Sequence, residues 1–179
     1  MAFGRGRSAA KTPLDEAGLL DYAVKSLGSR MRSERDLRRL LTLRAAPDEN
    51  GARVVEAVLA KVNELGYLSD QRFAADYTRL RQENQKYGRK RVQQALLQKG
   101  VAAATVDEAV GKAYAEVDEV ALARAFAERK RIKEPTCEKE LARAMRRLTA
   151  AGFSARAVWA VLRSWGAEVE EIDVVASDE

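Results

Sequence analysis

Three short glycine phrases constrain this chain more than any other feature of its sequence. They are Leu65-Gly66-Tyr67-Leu68-Ser69, Lys99-Gly100-Val101-Ala102-Ala103 and Ala151-Gly152-Phe153-Ser154-Ala155, each set between stretches of helical periodicity. A glycine takes the left-handed φ that ends a helix without a Cβ penalty. The apolar residue behind it packs back on the last turn, and a small or polar residue starts the next helix. Each phrase therefore predicts a buried corner between two helices, and three of them predict a stacked helical repeat. The glycines lie 34 and 52 residues apart, so the repeat is degenerate or carries insertions.

Composition agrees. Of 179 residues, 46% are hydrophobic but only 6% aromatic, and there are three prolines, which suits Ala/Leu-rich helices better than a β-sandwich. Cys137 stands alone and histidine is absent. No disulfide framework, Cys/His zinc site or histidine-based triad can be built from that inventory. The first twelve residues are basic and rich in Gly, Ala and Ser without an apolar stretch, and no segment approaches about 18 consecutive apolar residues. The expectation is a soluble, cytoplasmic protein that makes no use of a membrane.

Charge is unevenly placed. The total is +5, yet every charged residue after Arg163 is acidic: Glu168, Glu170, Glu171, Asp173, Asp178 and Glu179. Residues 1–163 therefore carry +11. Such a body attracts polyanions or acidic protein surfaces, and the acidic tail can compete for the same face.

The periodicity predicts a basic arm over 1–13, three-helix modules over 14–68, 69–117 and 118–166, and an acidic tail over 167–179. In the first module Leu19, Leu20, Ala23, Val24 and Leu27 form an apolar stripe ending near Gly28. Ser33 is a good N-cap for a second helix with Leu37, Leu40 and Leu41 inward. Residues 45–51 read as a loop, because Pro, Asp, Asn and Gly follow in close order. Val54, Val55, Val58, Leu59, Val62 and Leu65 close the module. In the second, Ser69 or Asp70 caps a helix bearing Phe73, Tyr77 and Leu80. Gly88 interrupts the pattern, Val92, Ala95 and Leu96 resume it, and Val106, Ala109, Val110, Ala113 and Tyr114 make the next helix. The third places Leu122, Ala125 and Phe126 inward, then runs through basic residues 129–133 to a stop at Pro135. Leu141, Ala144, Met145 and Leu148 follow, and after the last corner Val158, Val161, Leu162 and Trp165. Trp159, one position off that stripe, either closes the end of the core or marks an exposed contact.

No catalytic constellation is present in the sequence. Gly4-Arg5-Gly6-Arg7 lacks the lysine and Ser/Thr of a phosphate-binding loop, and no strand pattern precedes it. The carboxylate pairs Asp15-Glu16, Asp118-Glu119 and Glu170-Glu171 are sequence neighbours, which point in different directions on a helix and cannot share acid/base work. The expectation is a non-enzyme with no catalytic residues, no metal and no cofactor.

The middle of the chain carries a longer signature. Gly66-Tyr67-Leu68-Ser69-Asp70-Gln71-Arg72-Phe73-Ala74-Ala75-Asp76-Tyr77, then Arg79, Arg81, Gly88, Arg91-Val92, Leu96 and Lys99-Gly100-Val101 resemble the central motif of the RecX family, the bacterial regulators of the RecA recombinase. Residues 33–41 and Ala151-Gly152-Phe153-Ser154 with Val158 and Leu162 resemble its flanks, so the similarity spans about residues 19–165. The family often has Gly-Pro where this chain has Gly88-Arg89, a departure that loosens the helix start and adds a charge. The resemblance implies an elongated all-α array of three tandem three-helix, helix-turn-helix-like modules lying in the groove of the RecA filament on DNA. It implies lowered RecA ATP hydrolysis and strand exchange, and so a damped SOS response and regulated DNA repair and recombination.

On that basis the docking residues are expected to be Arg32, Arg35, Arg38 and Arg39 in the first module and Arg72, Arg79, Arg81, Arg89, Lys90 and Arg91 in the second. Their partners are the RecA recombinase filament and, through phosphates, single- or double-stranded DNA; the protein itself is expected to be a monomer. For Arg72 the competing role is an ion pair with Asp76 one turn on. Arg89, Lys90 and Arg91 open a helix, where cations oppose the macrodipole at about 0.3–1 kcal/mol each; they are either solvated surface or aimed at an anion. The rival from another class is a direct DNA-binding helix-turn-helix regulator, for which only Arg91, Gln93, Gln94 and Gln98 offer base-reading side chains. A plain adaptor without DNA is the third possibility, and it leaves the basic body without a purpose.

Overall fold

The computed structural model describes residues 12–166. The acidic tail and most of the basic arm lie outside the described residues; Thr12 and Pro13 are exposed. Among the described residues there are nine α-helices and no strand: α1 Glu16–Ser29, α2 Glu34–Thr42, α3 Glu49–Glu64, α4 Asp70–Gln85, α5 Arg89–Gln98, α6 Ala103–Tyr114, α7 Glu119–Arg129, α8 Glu138–Ala150 and α9 Ala155–Ser164. The all-α class is that expected from the glycine phrases and the composition. By contact the chain forms two compact units, residues 12–74 with Leu97–Thr105, and residues 75–96 with 106–166. The middle three helices are divided between them.

The first unit is built on α1, α2 and α3. Asp15 caps α1 by accepting from the Gly18 amide at 2.9 Å, and Ser33 caps α2 by accepting from Asp36 at 3.2 Å. The core consists of Leu19, Ala23, Leu37, Leu41, Val55, Val58, Leu59, Val62 and Leu68, all essentially inaccessible. At about 1.5–3 kcal/mol for each fully buried Val or Leu, this cluster outweighs any surface pair in the unit. Three side chains depart from the periodicity. Val24 and Leu65 are 36% and 51% exposed, and Ser26 turns inward on α1 instead. Leu65 is the C-cap of α3, the last residue before the chain turns at Gly66.

The segment 45–51 is also not wholly a loop. α3 begins at Glu49, because Asp48 accepts from the Gly51 amide at 2.7 Å and supplies an N-cap. Gly51 is buried against the Ala46 backbone, where a Cβ would collide. Loop-forming residue types are thus used here as the first turn of a helix.

The second unit packs α7, α8 and α9 around Ala123, Phe126, Ala127, Ala144, Leu148, Ala151, Phe153, Ala157, Val158, Val161 and Leu162. Phe126 meets Phe153 edge-on with ring centroids 5.7 Å apart, and Tyr87 lies 6.0 Å from Phe126. Such aromatic pairs add about 0.5–1.5 kcal/mol beyond area burial. Trp159 packs against this core, half-buried, so it closes the core's edge. The Tyr114 hydroxyl donates to the Tyr87 carbonyl at 2.7 Å, and burial pushes its ionisation well above the usual tyrosine range. Leu80, expected inward on α4, is 36% exposed, and Ala74 and Thr78 are the fully buried positions of that helix.

All three phrase glycines have left-handed φ, +72° at Gly66, +79° at Gly100 and +91° at Gly152. At two corners the amide following the glycine reaches back to the last turn, Tyr67 to the Val62 carbonyl at 2.9 Å and Phe153 to that of Leu148 at 3.5 Å, which is the Schellman arrangement. Val101 and Phe153 are buried as expected. At the first corner Tyr67 is 57% exposed and Leu68, one residue later, fills the core.

Two of these corners are joints as well as turns. In the first unit the Ser33 hydroxyl donates to the Lys99 carbonyl at 2.8 Å, Lys99 Nζ reaches Asp36 Oδ2 at 3.0 Å, and the aliphatic chain of Arg35 lies across Gly100. In the second unit the Gly88 amide donates to the Ala151 carbonyl at 2.9 Å and the Lys90 amide to that of Gly152 at 3.2 Å. A Cβ on Gly88 would strike the Gly152 carbonyl, and one on Gly152 would strike the Arg91 amide. In both units, then, the start of one helix is held by carbonyls at a corner glycine; in the second unit the donors are backbone amides at a helix start, which a helix cannot pair internally, and in the first the donor is the Ser33 hydroxyl.

Carboxylates reinforce both units. Glu119 accepts from the Ser154 amide at 2.7 Å and from its hydroxyl at 2.6 Å, while Ser154 caps α9 through the Ala157 amide. Asp70 accepts from the Glu34 amide at 2.9 Å, so Ser69 takes the capping role at α4 by accepting from Arg72. Burial pushes the Asp70 carboxyl above the usual aspartate range, against the pull of the Glu34 amide.

Two outcomes follow for stability. Gly88→Ala should destabilise the chain by about 1–3 kcal/mol, the usual cost of forcing atoms into a packed site, read as a lower urea midpoint at unchanged slope. Asp70→Asn keeps an acceptor for Glu34 and removes a carboxylate whose ionisation the fold resists. A raised acid favours the folded state below its ordinary pKa and loses that contribution as pH rises through the folded value. The variant should therefore gain melting temperature over the parent at pH 7, and that gain should vanish near pH 3.

Candidate functional site

The ten basic residues expected to dock fall into two groups, one in each unit. In the first unit α2 carries three of them. With about 100° between successive residues, Leu37 and Leu41 face the core while Arg35, Arg38 and Arg39 share the opposite arc. Arg39 is exposed and, among the described residues, has no ion pair. Arg35 is exposed at its head and packed at its stem against Gly100. Arg38 is engaged on both sides, with Nε 2.9 Å from Glu56 and a terminal nitrogen 2.9 Å from Glu34. The hydrogen bonds that Arg38 donates to Glu56 and, less strongly, to Glu34 hold its proton still more firmly than usual, and Glu56 is correspondingly pulled below the usual glutamate range by Arg38.

Arg32 and Arg72 serve the backbone. Arg32 Nε lies 3.4 Å from the Ser26 carbonyl, and the Arg72 guanidinium donates to the Gly66 carbonyl at the first corner. The competing Arg72–Asp76 pair does not form; Asp76 accepts from Arg79 at 3.4 Å. Arg72 thus ties down the carbonyl of the corner glycine that follows α3.

In the second unit Arg79 is shared between Asp76 and Glu83, at 3.4 and 3.3 Å. Arg81 lies 4.7 Å over the Tyr77 ring and Arg91 5.6 Å over that of Tyr87. Arg89 and Lys90 are exposed and without ion pairs among the described residues. Their position at the start of α5 is less costly than the sequence alone implies. The same helix start abuts the C-terminal carbonyls of α8 at Ala151 and Gly152, and a helix C-terminus favours cations. The cations least occupied within the fold are therefore Arg39, Arg89 and Lys90.

Base reading by α5 is weakly equipped. Gln93 Nε2 is engaged by Asp107 at 3.3 Å, and Arg91 is drawn onto Tyr87, which leaves Gln94 and Gln98 as exposed amides. Among the described residues no group of three metal-ligating side chains occurs, and no helix is long and apolar enough to cross a membrane.

A further basic site went unassigned from the sequence. In the second unit Arg131, Lys133, Arg143 and Arg147 line a cleft of about 390 Å3 together with Ile132, Glu134, Thr136, Glu140 and Ala144. The visible signals were the basic run at 129–133 and the four-residue spacing of Arg143 and Arg147. What joins them is tertiary: the chain after α7 folds back on α8.

A family model described as the second three-helix domain of RecX matches residues 69–110. The regulatory protein RecX of Escherichia fergusonii is 39% identical over 120 residues, covering 64% of this chain and 70% of the relative. That of Escherichia coli K12 is 39% identical over 123 residues with the same coverage. The fold is similar to a crystal structure of RecX from Lactobacillus salivarius, with a TM-score of 0.61 at 18% identity over 84% of this chain and 96% of that one. A second crystal structure, of a regulatory protein RecX, gives 0.65 at 24% identity over 86% and 79%. This all-helical chain with its basic helix faces is a member of the RecX family.

The occupied and unoccupied cations should separate in a melting experiment. Arg38→Gln should cost about 0.5–1 kcal/mol, the upper range for an exposed ion pair because two carboxylates are involved. The double variant Arg89→Gln, Lys90→Gln should melt within experimental error of the parent.

Proposed function

We propose that this protein is a non-enzymatic regulator that docks on the filament RecA recombinase forms on DNA and lowers its ATP hydrolysis and strand exchange. Regulated DNA repair and recombination and a damped SOS response would follow. Membership of the RecX family is the observation that carries this reading. The cations with no partner in the fold support it, since a filament of protein and DNA presents both acidic surface and phosphate. The chain would act in the cytoplasm as a monomer, with three-helix modules over 14–68, 69–117 and 118–166 contacting successive protomers, so that weak contacts sum to avid binding.

Within this proposal the docking residues carry unequal weight. Arg39, Arg89 and Lys90 would supply charge directly, with Arg35, Arg81 and Arg91 beside them. Arg32, Arg38, Arg72 and Arg79 would act mainly by holding the surface in shape. Direct sequence-specific DNA reading is less well supported, because the α5 face offers few side chains for base edges.

The test is single-stranded-DNA-dependent ATP hydrolysis by purified RecA, titrated with this protein at two salt concentrations. Inhibition below one regulator per recombinase is expected, reduced in the Arg89→Gln, Lys90→Gln variant and retained in Arg38→Gln. Unchanged hydrolysis on preformed filaments, with salt-sensitive binding to naked DNA, would assign the protein to direct DNA binding instead.

A further inference from the structure

The cleft between the end of α7 and α8 carries chemistry that the docking residues above do not use. α7 ends at Arg129, and the chain turns through Arg131, whose φ is +50°. The Arg131 amide donates to the Glu128 carbonyl and that of Ile132 to Ala127, both at 2.9 Å. This is the same helix ending that glycine makes at Gly66 and Gly152. Here an arginine occupies the left-handed position, where a side chain is disfavoured. Ile132 packs on the core beneath it, and the Arg147 guanidinium donates to the Lys130 carbonyl at 3.2 Å. The turn is thus fastened from below and from α8, with the Arg131 and Lys133 side chains left at the surface.

Across the cleft, Arg143 and Arg147 stand one turn apart on one face of α8, a rise of about 6 Å. None of the four cations makes an ion pair with a described residue. The two carboxylates of the lining do not cancel them. Glu140 accepts from the Thr136 amide and hydroxyl, both at 2.9 Å. Those bonds, with Lys133 and Arg143 nearby, hold it below the usual glutamate range. Glu134 is exposed. The lining has no aromatic ring, so a base has nothing to stack on. What remains is a concave, positively charged surface with planar guanidinium donors at successive helical turns, suited to tetrahedral oxyanions spaced along a chain.

We propose that the cleft lined by Arg131, Lys133, Arg143 and Arg147 binds the phosphodiester backbone of a nucleic acid without reading its bases. The proposal shares with the regulatory reading only the idea of phosphate contact. Its test contains no recombinase, so the two can fail separately.

Binding of the full chain to a fluorescein-labelled 20-mer of thymidylate, and to a 20-base-pair duplex, would be followed by anisotropy across a range of salt concentrations. Arg131→Gly removes one charge while placing glycine where the backbone already asks for it, so folding is preserved. Combined with Lys133→Gln it should weaken binding several-fold at low salt. It should also flatten the log–log salt dependence by roughly 1.4 for the single strand or 1.8 for the duplex, the values for two lost phosphate contacts. Glu134→Gln should tighten binding. Loss with one form of nucleic acid only assigns the cleft to that form. Parent affinity and slope in the double variant, with an unchanged helical circular-dichroism spectrum, would overturn the proposal. So would polyglutamate competing as well as oligonucleotide at equal charge, since the cleft would then recognise charge alone.

Discussion

The structure depends on carbonyl groups exposed at helix ends finding donors at the start of another helix. A helix leaves its last carbonyls and first amides unpaired, and burying either without a partner costs about 1–3 kcal/mol. In the second unit the carbonyls of Ala151 and Gly152 meet the amides of Gly88 and Lys90. In the first, the Lys99 carbonyl meets the Ser33 hydroxyl. In the second unit each contact therefore satisfies both deficits and brings the negative end of one helix dipole to the positive end of another, while in the first the hydroxyl satisfies the carbonyl. The apolar cores can close only because these polar ends are accounted for.

The same contacts decide what the surface has left to offer. Arg35 gives its stem to Gly100, Arg72 its guanidinium to Gly66, and Arg38 and Arg79 are each divided between two carboxylates. A basic sequence is not automatically a basic binding face. Subtracting the structural duties leaves a shorter set of cations in each unit, which is where an external anion meets least competition.

Much of the fold is legible in the sequence because it rests on local rules. Ser33 and the left-handed glycines act through neighbours within a few residues, and Leu37, Leu41, Val58 and Val62 follow simple periodicity. The structure departs from the periodicity at turns and where distant chain intervenes. Asp48 and the tight approach of Ala46 to Gly51 convert loop residues into a helix start. Leu65 and Tyr67 are turned outward by the corner itself, and Leu68 takes the buried place. The cleft beside α8 joins Arg131 and Lys133 to Arg143 and Arg147, ten or more residues apart, through a chain reversal, for which no local pattern exists. Periodicity located the middle helices too, yet neither it nor the resemblance to the family says which cations are already engaged.

The joint at Gly88 and Gly152 has one more consequence, for how such a protein can change over time. It is made from backbone to backbone, and its main demand on the sequence is the absence of two side chains. The exposed residues beside it, such as Arg89 and Lys90, stay at liberty to vary in size and charge without undoing the connection. A framework specified by so few letters lets its outer surface be rewritten to suit a changing partner while the stacking of helices persists.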